Sequence, residues 1–288
     1  MTNNTVKVGV AQMSCSADVK QNEQKAAQLI SGLARGGAQI ICLPELYKSH
    51  YFCQQEDHGY FDLAETIPGK GVEELQALAK ANDVVLIASL FEKRATGVYH
   101  NTAVVIDADG RFLGKYRKMH IPDDPCYLEK FYFTPGDLGY QVFETRYAKL
   151  GVLICWDQWY PEAARLTALK GAEIIFYPTA IGWLGEDKKD HGERQFNAWK
   201  SVQVGHAVAN AVFVVTPNRV GTEGNIEFWG GSFVVDPFGA TLFQAGQKEE
   251  TAVVDCNLSL IEETRRGWPF LRDRRVDSYE GILKRYDD

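Results

Sequence analysis

The chain has 288 residues, 45% of them hydrophobic and 24% charged, with 10 prolines, a formal net charge of −7 and a pI near 5.5. That balance suits a globular protein with a sizeable core and argues against a general nucleic-acid or anionic-membrane surface. The six cysteines (Cys15, Cys42, Cys53, Cys126, Cys155 and Cys256) form no C-x-x-C pair, and no run approaches the roughly 18 apolar residues of a membrane span. With no apolar signal region before the first strand, the expected setting is soluble, reducing and cytoplasmic.

In chain order, Val6–Met13 alternates as a strand, and Asn22–Ala34 has the apolar spacing of a helix that stops at Gly36-Gly37. Ile40–Leu43 is a short buried strand and Gly71–Ala81 a helix. Val84–Leu90 and Thr102–Ile106 are strands, the second closed by the turn Asp109-Gly110. Leu150–Ile154 is apolar and partly β-branched, as a buried strand is, and Pro161 with Glu162 opens a helix running to Lys170. Ile174–Tyr177 is a strand. The run Gly185-Glu186-Asp187-Lys188-Lys189-Asp190 is a charged loop, and a long helix over about Gly192–Asn210 leads to the strand Ala211–Thr216. Gly231–Val235 and Ala252–Cys256 are strands, with the turn Asp236-Pro237-Phe238-Gly239 between them. No low-complexity linker divides the chain, so the expectation is one α/β domain over residues 1–288 with a buried sheet. From Glu262 to Asp288 seven basic residues meet seven acidic ones, a neutral tail.

Three segments place a titratable residue directly after an apolar strand. Pro44 ends the first strand and fixes the backbone before Glu45. Lys118 and His120 lie in Gly114-Lys-Tyr-Arg-Lys-Met-His-Ile-Pro122. Cys155 follows Leu150–Ile154, where a nearby helix N-terminus is expected to favour the thiolate. Taken singly, these read equally well as a solvated glutamate, a basic strand face and a buried core thiol. Together they supply a nucleophile, a base for its proton and a donor for the oxyanion. The glycines of Gly221–Gly224 and Gly230-Gly231 do not form a phosphate loop after a strand.

Leu43-Pro44-Glu45, Tyr116-Arg-Lys118-Met-His120-Ile-Pro122 and Ile154-Cys155-Trp156-Asp157 resemble, in order and spacing, the three signatures of the nitrilase (carbon–nitrogen hydrolase) superfamily. The resemblance runs from about Val6 to Leu271 and implies a four-layer αββα sandwich. It implies a catalytic triad of Glu45, Lys118 and Cys155, with Glu129 holding Lys118 and bridging towards the substrate. Longer likenesses, Tyr127-Leu-Glu129-Lys-Phe-Tyr-Phe-Thr-Pro-Gly136-Asp137 and Cys155-Trp-Asp-Gln-Trp-Tyr-Pro-Glu162, point to the branch that hydrolyses terminal ureido groups. The implied reaction takes N-carbamoylputrescine to putrescine, ammonia and carbon dioxide, within polyamine biosynthesis, through an S-acyl enzyme and without metal or organic cofactor. Lys118 and the backbone N–H of Trp156 are the expected oxyanion donors.

No arginine occurs between Cys155 and Arg165, so a carboxylate tail loses the clamp used by related N-carbamoyl-amino-acid hydrolases. Tyr51, Trp159 and Trp183 are expected to flank a methylene chain and its cation, with His120 a further contact and Glu186 and its acidic neighbours facing the amine. An N-carbamoyl-β-alanine or aliphatic amide hydrolase, a nitrilase proper and a non-catalytic scaffold are the rival readings. Family members form dimers and larger assemblies, so a homo-oligomer is expected, with the 262–288 tail and its Trp268-Pro-Phe-Leu271 segment at a contact.

Overall fold

The computed structural model describes residues 4–287, the side chain of Glu186 excepted. Alternation along the strands builds the layers. In Thr5–Gln12, Ile40–Cys42, Val85–Ala95 and Val98–Ile106, the side chains of Val6, Val8, Val10, Ile40, Cys42, Val85, Ile87, Ala103 and Val105 enter one core. Their neighbours Ala11, Ile41, Leu86, Ala88, Val104 and Ile106 enter another, against Ile30 and Leu33 of helix Val19–Arg35 and Leu75 and Ala79 of helix Lys70–Asn82. A sheet buried on both faces needs apolar residues at successive positions, which is why these strands read as runs rather than as strict alternation.

The first sheet has the order Glu250–Asn257, Thr5–Gln12, Ile40–Cys42, Val85–Ala95, Val98–Ile106, Phe112–Arg117. The second has the order Thr241–Gln244, Phe233–Val235, Phe213–Thr216, Ile174–Phe176, Lys149–Val152, Val142–Glu144. In each, three central strands are parallel and the flanking ones antiparallel. The shared core joins Val8, Val85 and Val105 of one sheet to Val152, Ile174 and Val214 of the other. Ala163, Ala164, Trp199 and Ala207, on helices Pro161–Leu169 and Gly185–Asn210, cover the far face of the second sheet. This is the expected αββα order of layers.

Two expectations change. The strand before the nucleophile is Lys149–Val152; the chain leaves the ladder two residues early, although the Leu153 N–H still reaches the Phe176 carbonyl at 3.0 Å. The charged run 185–190 is not a loop but the opening turns of the 26-residue helix Gly185–Asn210. An exposed polar helix face has the same composition as a loop, and no proline interrupts it. Gly192 inside this helix answers a close approach: its carbonyl accepts from Trp183 Nε1 at 2.9 Å, and a Cβ there would lie 3.1 Å from that nitrogen. A small sheet of Gly182–Leu184, Ile226–Trp229 and Val220–Glu223, with its turn at the 224 glycine, was not foreseen, nor was helix Ser259–Gly267. Among the described residues, no helix is long and apolar enough to cross a membrane.

Candidate active site

The parallel strands of both sheets end at one edge, where side chains following them converge. Glu45 comes from the turn after Ile40–Cys42, and its N–H reaches across to the Thr179 carbonyl of the second sheet at 3.3 Å. Lys118 follows Phe112–Arg117 and is fixed by backbone hydrogen bonds to Asn101 (2.9 Å) and from Gly136 (2.8 Å). Gly136 has no room for a side chain, since a Cβ would sit 2.1 Å from the Arg117 carbonyl oxygen.

Glu45, Lys118 and Glu129 are fully buried. Lys118 Nζ donates to Glu45 Oε1 at 2.8 Å and to Glu129 Oε2 at 2.6 Å. Asn101 Nδ2 donates to the same Glu45 oxygen at 2.7 Å and is itself held by Ser89. Tyr51 donates its hydroxyl to Glu129 Oε1 at 2.6 Å. Of the four oxygens of these two carboxylates, Glu45 Oε2 is the one buried without a hydrogen-bond partner among the described residues. Burial would strip Lys118 of its proton, but Glu129 and Glu45 hold its ammonium well above the usual range. Burial pushes the Glu129 carboxyl up to about 7, with Glu45 adding to the rise and Lys118 opposing it.

Cys155 opens the 3-10 turn Cys155–Trp159 with a φ of 41°, in the left-handed region that a non-glycine residue occupies only when its surroundings impose it. Its N–H donates to the Pro178 carbonyl at 3.0 Å, and its thiol faces the Ala180 carbonyl at 3.7 Å. The expected thiolate is not favoured here. Burial pushes the thiol well up, Glu45 and Glu129 add to this, and Lys118 only partly offsets them. Such a cysteine is a thiol at rest and needs a base at the moment of attack.

Two residues lock this turn. The buried Asp157 carboxylate accepts from Ile154 N (2.8 Å), the Tyr116 hydroxyl (2.8 Å), His120 N (3.1 Å) and His120 Nδ1 (2.7 Å). It thereby ties the Cys155 turn to both flanks of Lys118. Gln158 bonds Thr179 and, through Trp199 and His206, the long helix.

Beside the turn lies a cavity of about 750 Å³, lined by Asp124, Tyr127, Trp156, Trp159, Ile181, Gly182, Asp187, Arg194, Gln195 and Trp229, among others. Trp156 and Trp159 stand on its wall. Tyr51 does not: it is fully buried and holds Glu129. His120 is also off the wall, stacked on Tyr160 at 3.7 Å and bonded to Asp157. Trp183 borders a neighbouring cavity instead. The side chain of Glu186 lies outside the described residues. Helix 185–210 brings Arg194 to the wall, a cation that a search close to Cys155 in sequence does not find.

The carbon–nitrogen hydrolase model matches residues 7–266. The chain belongs to the carbon–nitrogen hydrolase family. An N-carbamoylputrescine amidase from Solanum lycopersicum is 45% identical, over 98% of this chain and 96% of its own. A citrullinase from Francisella tularensis is 42% identical over 98% and 99%. A carbon–nitrogen hydrolase from Helicobacter pylori superposes with a TM-score of 0.95 at 49% identity, over 98% of this chain and 100% of that one. As a carbon–nitrogen hydrolase, this chain is an enzyme of small-molecule amide hydrolysis.

Buried polar residues that sequence reasoning passed over complete the site. Asn101 lies with His100 and Thr102 in a buried polar stretch of the strand Val98–Ile106. Arg219 follows Thr216-Pro217-Asn218 at the end of a strand, the same pattern that marks Glu45.

Proposed function

We propose that this carbon–nitrogen hydrolase cleaves the terminal ureido group of N-carbamoylputrescine, as one domain and in the cytoplasm, with Glu45, Lys118, Glu129 and Cys155 as its catalytic residues. The observation that carries the reading is the orphaned Oε2 of Glu45. Its other oxygen is anchored by Lys118 and Asn101, so the free oxygen is the one able to take a proton from a thiol held un-ionised by burial. Glu45 accepts the Cys155 proton as sulfur attacks the carbamoyl carbon. Lys118 and the Trp156 N–H steady the oxyanion, and loss of one such donor costs roughly 3 kcal/mol in the transition state. Glu45 returns the proton to the departing nitrogen, leaving an S-acyl enzyme, and then activates water. One water is consumed per turnover; putrescine, ammonia and carbon dioxide are released.

Asp124 and Asp187 on the wall suit a distal ammonium, and the faces of Trp156 and Trp159 suit the methylenes before it. A second reading, an ω-ureido amino acid such as citrulline, is favoured by Arg194 and by the indole N–H groups of Trp159 and Trp229, which are buried without acceptors. Ammonia release from N-carbamoylputrescine, citrulline, N-carbamoyl-β-alanine and butyramide, with Cys155→Ala as blank, separates these. Preference for N-carbamoylputrescine, lost in the variant, is expected. Preference for citrulline moves the substrate to the zwitterion, and silence on all four removes the ureido reading.

The proposed homo-oligomer uses the 262–288 tail, where Trp268, Phe270, Val276, Ile282 and Leu283 remain exposed and Trp268 meets the exposed Phe238 at 5.6 Å.

A further inference from the structure

Behind the catalytic cluster lies a second buried ion pair. Arg219 is fully enclosed, and all five of its N–H donors are engaged. Nε and Nη2 donate to the Glu45 carbonyl at 3.1 and 3.0 Å, and Nη2 also to the Leu46 carbonyl at 2.6 Å. Nη1 donates to both oxygens of Glu223, at 3.0 and 3.1 Å. Glu223 Oε2 in turn accepts the Tyr51 backbone N–H at 2.5 Å. The guanidinium is flanked by the rings of Tyr51 and Phe228, 5.9 and 5.7 Å from their centroids.

These bonds close a ring. From Arg219 one arm runs through the Glu45 backbone to its carboxylate and on to Lys118. The other runs through Glu223 and the Tyr51 backbone to the Tyr51 hydroxyl, then to Glu129 and again to Lys118. Leu46, the residue between the two carbonyl contacts and the next turn, has a φ of 49°, and its N–H is held by Ser89 at 3.1 Å. The strained Glu45–Leu46 turn is therefore gripped from both sides, and among the described residues Arg219 is the one cation on its carbonyls.

We propose that Arg219 is a positioning residue for the hydrolytic reaction: one guanidinium sets both Glu45 and Glu129 around Lys118, through the Glu45 carbonyl and through Glu223 and Tyr51. The inference rests on the catalytic roles given above to Glu45 and Glu129. Neither Arg219 nor Glu223 touches the substrate cavity wall. A lysine keeps the charge but cannot span two carbonyls and a carboxylate with fixed geometry. Displacing a general base by about an ångström costs on the order of a hundredfold in rate.

The test compares wild type with Arg219→Lys, Glu223→Gln, Tyr51→Phe and the Arg219→Lys/Tyr51→Phe double variant, each at a temperature where circular dichroism shows it folded. Steady-state kinetics use whichever ureido or amide compound the wild type turns over. Alkylation of Cys155 by iodoacetamide, followed by mass spectrometry, reads the Glu45–Cys155 arrangement without any substrate. For Arg219→Lys, kcat falls about tenfold to a hundredfold, KM stays within about threefold, and Cys155 alkylation slows. The double variant loses less than the product of the single losses, because both cut one ring. Should Arg219→Lys fail to fold, Glu223→Gln paired with Tyr51→Phe gives the same readings. A folded Arg219→Lys with unchanged kcat and alkylation rate overturns the inference, as does simple multiplication of the two effects. Wild type that hydrolyses no ureido compound counts against the proposed function alone, since alkylation still reports on Arg219.

Discussion

At the scale of single residues, the site depends on oxygen atoms being unequal. Glu45 Oε1 receives two donors and Oε2 none. Glu45→Gln preserves an acceptor for Lys118 and Asn101 but cannot hold the thiol proton. Turnover is therefore expected to drop by about 10² to 10⁴-fold, with thermal stability near that of wild type; kcat by ammonia assay and a melting curve check both. Retained turnover would assign the base elsewhere. Glu45, Lys118 and Cys155 were legible as neighbours because each lies at or just beyond the end of a strand, and as a set through the family resemblance. Arg219 shares that strand-end pattern, but what it and Glu223 bond was not legible. Their partners lie 174 and 172 positions away, and nothing local to Asn218-Arg219 announces a contact with Glu45 or Tyr51. Tyr51 and His120 were legible as members of the site but not as supports within it, because chain position does not say which way a ring turns.

At the scale of elements, the antiparallel flank of the first sheet holds a charge network of its own. Glu92, buried on Val85–Ala95, receives Lys115, Arg117 and Thr102. Burial alone would raise its carboxyl, but these donors hold it down to about 2 from an ordinary 4.5. A carboxylate depressed in this way contributes stability that is complete above about 4.5 and lost as pH falls through about 2. The contribution is on the order of 3 kcal/mol. Urea melts of wild type and Glu92→Gln are expected to differ most near neutrality and to draw together as pH falls across that window. A constant gap would remove the linkage. Because Arg117 precedes Lys118, the network also braces the strand that delivers the lysine. The elements most clearly foreseen were those with apolar spacing, such as Val19–Arg35 and Lys70–Asn82. The opening of Gly185–Asn210 was hidden by its charge, since solvent-facing turns and loops select the same side chains.

At the scale of the molecule, the two sheets share one core but divide the residues of the proposed chemistry. Glu45 and Lys118 come from the first sheet and Cys155 from the second, linked by the Glu45 to Thr179 hydrogen bond and by Asp157. The sandwich was legible through family resemblance alone; the apolar runs by themselves indicate one α/β unit with a buried sheet. The proposed assembly contact was not legible, because an exposed Trp268 reads the same on a free tail and at an interface. Truncation after Gly267 keeps helix Ser259–Gly267 intact and removes the exposed apolar tail. Light scattering is expected to show a smaller assembly for the truncated chain, and an unchanged mass would place the contact elsewhere.

The cavity wall has a consequence for how such an enzyme changes its diet. Its charged members, Asp124, Asp187 and Arg194, sit on a connecting segment and on an outer helix, whereas Cys155, Glu45 and Lys118, the proposed nucleophile, base and oxyanion donor, sit beyond strand ends of the two sheets. On the proposed roles, recognition of charge and bond cleavage thus fall on separate stretches of chain, while Trp156 and Trp159 share the turn of Cys155. Substitution of Asp124, Asp187 or Arg194 therefore changes the charge that the cavity presents without touching the residues at the strand ends.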